Sequence, residues 1–92
     1  MNRDHILVVE DDADIANMVR LYFTSENYTI AIASQGKQVL TMCREKMPSL
    51  IILDIMLPDT DGFSLFQQLR ADPYTKHIPV IFLTSIALSQ LI

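Results

Sequence analysis

Leu50-Ile51-Ile52-Leu53-Asp54-Ile55-Met56-Leu57-Pro58-Asp59-Thr60-Asp61-Gly62 decides how the rest of this chain is read. Four aliphatic residues in succession, without polar interruption, predict a strand covered on both faces, the pattern of a parallel sheet. Asp54 ends that run. A carboxylate directly after a buried strand is costly to keep charged unless a cation or hydrogen-bond donors meet it. Pro58-Asp59-Thr60-Asp61-Gly62 is turn chemistry, so Asp54 falls at the rim where strand opens into loop. That placement makes Asp54 the candidate reactive centre.

Working outward, His5-Ile6-Leu7-Val8-Val9 is a second apolar strand that also stops at acids, Glu10-Asp11-Asp12. From Ala13 a helical period begins, with Ile15, Met18, Val19, Tyr22 and Phe23 on one face predicted to be core, and Ser25-Glu26-Asn27 breaks it. Tyr28 to Ala33 reads as a strand. After the turn Ser34-Gln35-Gly36, a second helix carries Val39, Leu40, Cys43 and Met47 inward and ends at Pro48. A third helix starts near Gly62 with Phe63, Phe66 and Leu69 inward. Val80-Ile81-Phe82-Leu83 is read as another doubly buried strand, closing at Thr84-Ser85. Alternation of this kind predicts a doubly wound parallel α/β sheet with right-handed crossovers.

Half of the 92 residues are hydrophobic, enough for one compact domain and no second one. No apolar run approaches the length of about 18 residues that suggests a membrane span, and the polar amino terminus does not resemble a signal peptide. A lone Cys43 offers neither an internal disulfide nor a multi-thiol metal site, so a cytoplasmic protein is expected. With a formal charge of −4 and no basic stripe, nucleic-acid binding by this chain is not expected. Seven of the eleven acids (Glu10, Asp11, Asp12, Asp14, Asp54, Asp59, Asp61) lie in two short windows. Clustered like charges favour a divalent cation among them.

In open α/β sheets ligands bind outside the carboxyl ends of the strands. Glu10-Asp11, Asp54 and Thr84-Ser85 all fall on that edge. Oxygen donors with room for water suit Mg2+ or Mn2+, and no matched Cys or His set argues for zinc. The backbone carbonyl of Met56 is within reach of a metal at Asp54, and Thr84 is placed to offer a hydroxyl to phosphoryl oxygens. Singly, each feature has a plainer reading: Asp54 as a turn residue, the first acids as a helix start, Thr84-Ser85 as a cap. Their convergence on one edge favours function. His5 and His77 precede strands at the opposite edge and are expected to take no part.

Three blocks carry a resemblance: Ile6 to Asp12, Leu53 to Gly62 and Ile78 to Thr84. In that order they resemble the receiver domain of two-component response regulators over about residues 5 to 85. The resemblance implies a flavodoxin-like receiver, strand order 2-1-3-4, that takes a phosphoryl group from a sensor histidine kinase or phosphotransfer protein onto Asp54. It implies Mg2+ held directly by Asp11, Asp54 and the Met56 carbonyl, with Glu10 acting through water and Thr84 as the switch hydroxyl. Such a chain is a phosphoacceptor rather than an enzyme, beyond slow self-catalysed phosphoryl transfer and autodephosphorylation.

Family members continue through a fourth helix, a fifth strand bearing a lysine, and a fifth helix. Eight residues follow Thr84, and no lysine follows Lys76. The expectation is therefore a single incomplete receiver over residues 1–92, lacking the fifth strand and fifth helix. The uncharged tail Ser85 to Ile92 has five apolar residues, so a homodimer through the fourth strand or the tail is expected. The alternative is a phosphorylation-incompetent module of receiver-like fold used for dimerisation or docking. A metal-dependent phosphatase of similar topology ranks lower, because it needs an acid two residues after the nucleophile, where Met56 stands.

Overall fold

Burial explains why the first apolar run becomes the central strand. In the computed structural model, which describes residues 4–83, β1 (His5–Val9) is buried along its whole length. It pairs in parallel with β2 (Thr29–Ala33) on one side and β3 (Leu50–Asp54) on the other, and β4 (Val80–Leu83) pairs with β3. The resulting order is β2-β1-β3-β4, as the resemblance implies. Successive side chains of a strand point to opposite faces. Leu7, Val9, Ile51 and Leu53 therefore enter one core with Val39, Cys43, Leu65 and Leu69, while Ile6, Val8 and Ile52 join Val19 and Phe23 in the other. Helices α2 (Val39–Glu45) and α3 (Gly62–Ala71) cover the first face. Helix α1 (Ala13–Ser25) covers the second.

The helix ends have identifiable causes. Asp12 caps α1, its Oδ1 accepting from the N–H groups of Asp14 and Ile15 at 2.9 and 3.1 Å. At the far end Asn27 adopts φ 69°, a left-handed value that asparagine tolerates. The Asn27 and Tyr28 N–H groups return to the carbonyls of Thr24 and Phe23. The Phe23 and Tyr28 rings meet edge to face at 5.7 Å, and the Tyr22 ring meets Phe23 in the same way at 5.1 Å. This is a Schellman stop with its hydrophobic contact, and it turns the chain directly into β2. A single 3₁₀ turn, Gly36–Gln38, precedes α2.

Three expectations about burial change. On α1, Met18 and Tyr22 are 42% and 63% exposed, while Ala16 and Val19 lie against the sheet. The apolar arc of this helix is wider than the face that a narrow sheet can cover. On α3, Leu65 and Leu69 are the buried pair, and Phe63 turns outward against the Phe82 ring at 5.1 Å. Nor is β4 doubly buried: Ile81 is 55% exposed, since among the described residues this strand pairs with β3 alone. No helix among the described residues is long and apolar enough to cross a membrane. Thr84 and the tail from Ser85 to Ile92 lie outside the described residues.

Candidate metal centre

The chain passes from β1 to β2 on one side and then crosses to β3 on the other, which opens a crevice between the carboxyl ends of β1 and β3. The register Val9↔Leu53 sets Glu10 and Asp54 beside each other there. One carboxylate oxygen from each of Glu10, Asp11 and Asp54 lies within 4.8 Å of the others. A single small cation can bridge such a set, and oxygen-only donors of this kind suit Mg2+ or Mn2+. Glu10 is almost wholly buried and Asp54 half-buried, whereas Asp11 is exposed to solvent.

Glu10 bears most of the cost of this arrangement. Burial pushes its carboxyl up to about 7, with Asp54 and Asp11 adding to the effect and the Asp12 N–H, which donates to Glu10 Oε2 at 3.1 Å, opposing it. A buried carboxyl that holds its proton near neutrality, with acids beside it, is a group that a cation would relieve. The donor set thus fits a divalent metal on chemical grounds.

The two acidic windows divide their labour, contrary to the expectation that they surround one cation together. Asp12 is occupied as the α1 cap. Asp61 caps α3, accepting from the Ser64 N–H and hydroxyl, both at 2.8 Å. Asp59 accepts from the N–H groups of Gly36 and Lys37 at 2.8 and 2.9 Å. These bonds hold the Asp59 and Asp61 carboxyls below the usual carboxylate range, by the Gly36 and Lys37 amides for Asp59 and by Ser64 for Asp61. Among the described residues, only Glu10, Asp11 and Asp54 form a metal-capable cluster.

Sequence reasoning did not single out Gly62, which packs against the site. A Cβ there would stand 2.4 Å from the Asp54 carbonyl oxygen and 2.9 Å from Ile55 Cα. The start of α3 is thereby seated on the backbone of Asp54, and the Gly62 N–H donates to the Ile55 carbonyl at 2.6 Å. The available signal was a glycine closing an Asp-rich turn. Met56 pairs with Asp61 in an isolated antiparallel bridge and is 79% exposed. His5 lies at the opposite edge, as expected, but is buried: its Nδ1 is 2.9 Å from Thr29 Oγ1, and burial, with Lys46 nearby, lowers its pKa. His77 is exposed.

A family model for the response regulator receiver domain matches residues 6–91. The chain belongs to that family. It is 37% identical over 81 residues to the response regulator PleD of Caulobacter vibrioides, an alignment covering 88% of this chain and 18% of PleD. It is 40% identical over 83 residues to the DNA-binding response regulator MtrA of Mycobacterium tuberculosis, covering 90% of this chain and 35% of MtrA. The chain therefore spans about a fifth to a third of the length of these curated relatives. Among solved structures, the receiver domain of sensor histidine kinase PA1611 from Pseudomonas aeruginosa superposes with a TM-score of 0.85 at 28% identity, covering 95% of this receiver and 71% of that chain. That domain has a magnesium ion coordinated in its active-site cleft.

Proposed function

We propose that this receiver accepts a phosphoryl group on Asp54 from a phosphohistidine of a sensor histidine kinase or phosphotransfer protein, with Mg2+ or Mn2+ held by Asp11, Asp54 and the Met56 carbonyl and by Glu10 through water. The observation that carries the reading is the meeting of the Glu10, Asp11 and Asp54 carboxylates at the crevice between β1 and β3. One Asp54 oxygen bonds to phosphorus as the phosphorus–nitrogen bond of the phosphoimidazole breaks. The electron pair stays on the imidazole nitrogen, which takes a proton from solvent, and an acyl phosphate remains on Asp54. A bound divalent cation supplies charge neutralisation for the phosphoryl oxygens.

The chain's own groups do the rest. Glu10 and Asp11 would share the cation with one Asp54 oxygen, which leaves the other Asp54 oxygen free to attack. Gly62 fixes the backbone of Asp54, and thus the angle from which that oxygen approaches. Thr84 is assigned the switch hydroxyl by resemblance. The chain acts as an acceptor, with water slowly hydrolysing the acyl phosphate to restore Asp54. A cytoplasmic setting fits the buried, reduced thiol of Cys43.

The test is transfer from a phosphorylated phosphotransfer protein in the presence of Mg2+, with label appearing on this chain and lost in Asp54→Asn. Label unchanged in that variant would remove Asp54 from the role. A second reading, docking or dimerisation without phosphorylation, is favoured by the exposed Ile81 on β4, the edge strand among the described residues. It requires that no transfer occur while association persists.

A further inference from the structure

Asp59 lies at the tip of the loop between β3 and α3, three residues beyond Met56, and its side chain takes no part in the acid cluster. Both of its oxygens are committed elsewhere. Oδ1 accepts from the Gly36 N–H and Oδ2 from the Lys37 N–H, at the junction between β2 and α2. The other hydrogen bonds of this loop are internal to it or at its base: Leu57 N–H to the Thr60 carbonyl at 3.2 Å, and Gly62 N–H to the Ile55 carbonyl. Among the described residues, Asp59 thus makes the hydrogen bonds that tie the loop tip to another element. The contact is close as well as polar, since a Cβ on Gly36 would come within 2.5 Å of Thr60 Cγ2.

We propose that Asp59 is a positioning residue for the phosphoacceptor site: its two bonds to the Gly36 and Lys37 amides hold the loop so that the Met56 carbonyl stays in register with Asp54 and the acids after β1. The inference rests on the metal-binding reading of that site. Hydrogen bonds from N–H donors to a carboxylate are the stronger kind, and two in parallel fix direction as well as distance. Groups that orient metal ligands without touching the metal typically govern affinity by about 10- to 100-fold. Asp59 is exposed and its side chain belongs to neither core, so its removal is expected to leave the fold in place.

The experiment is a Mg2+ titration of the protein followed by backbone amide chemical shifts. Asp59→Ala should bind Mg2+ about tenfold more weakly than the parent chain. Gly36→Ala should also weaken binding, by forcing Thr60 and its loop away, and adding Thr60→Ser, which deletes the obstructing methyl, should restore it. Thr75→Ala, which removes the buried hydrogen bond to the Leu69 carbonyl, should lower thermal stability and leave Mg2+ affinity unchanged. Equal affinity in Asp59→Ala and the parent, or failure of Thr60→Ser to rescue Gly36→Ala, overturns the positioning role. Absence of any saturable Mg2+ shift in the parent itself overturns the metal-binding reading and this inference with it.

Discussion

Gly62→Ala sets two effects of opposite sign against each other. In a helix, alanine is favoured over glycine by about 1 kcal/mol, and Gly62 has no positive φ that would penalise a side chain. Propensity alone therefore predicts stabilisation. The new Cβ, however, would stand 2.4, 2.9 and 3.1 Å from Asp54 O, Ile55 Cα and Asp54 C. All three are backbone atoms, so no side-chain rotation relieves the overlap. Reaching an ordinary contact of about 3.5 Å requires the start of α3 to move away from β3 by about 1 Å. Overpacking of this kind costs about 1–3 kcal/mol, and weakening the Gly62 N–H bond to the Ile55 carbonyl adds about 1 kcal/mol. The steric term wins, leaving a net loss of about 2 kcal/mol. For a domain of this size that lowers Tm by about 8–16 °C. Thermal unfolding followed by far-UV circular dichroism reads the change directly. Gly36→Ala, whose nearest obstacle is the Thr60 methyl rather than backbone, should lose less. A Gly62→Ala Tm equal to or above that of the parent would refute the close approach of α3 to Asp54.

Three other outcomes are expected. Because Glu10 holds its proton up to about 7 in the folded chain, the stability linked to that proton is intact below its ordinary value near 4.5 and declines as pH rises through 7. In chelator, chemical denaturation should show a fall of about 3 kcal/mol at most across that window, and Glu10→Gln should flatten it. Cys43 is buried, and burial, with Asp72 nearby, raises its thiol to about 11. It should resist a disulfide thiol reagent in the native chain and react on unfolding; native labelling at the unfolded rate would contradict its placement. Strand β4, the edge of the sheet among the described residues, is expected to pair with a second copy, seen as a dimer by analytical ultracentrifugation at micromolar concentration. Ile81→Lys should shift it to monomer, and a monomeric parent would dismiss that pairing.

The strands were legible because their apolar runs are short, uninterrupted and bounded by turn residues, and their alternation with helices gave the parallel doubly wound sheet, while the strand order 2-1-3-4 came from the resemblance to receiver domains. The acid cluster was legible too, since Glu10-Asp11 and Asp54 each end a buried strand and parallel register brings such ends together. What could not be read was how the remaining acids are used. Asp59 meets Gly36 and Lys37 across 22–23 positions of sequence, a contact that exists only once α2 and the loop have docked. Asp12 and Asp61 offer the same carboxylate as Asp11 and Asp54 but stand at the N-cap positions of α1 and α3. Periodicity likewise overstated burial at Met18, Tyr22 and Phe63, because it reports the apolar arc of a helix and not the width of the sheet beneath it. Gly62 shows the same limit: its necessity lies in a carbonyl eight residues back that the turn folds against it.

Asp54 as the acceptor is tested most directly by intact-mass spectrometry of the chain after incubation with acetyl phosphate and Mg2+. The account predicts a mass gain of one phosphoryl group that is labile to hydroxylamine, as an acyl phosphate must be, requires the divalent cation, and is absent from Asp54→Asn. No gain in the parent, or the same gain in Asp54→Asn, would contradict it.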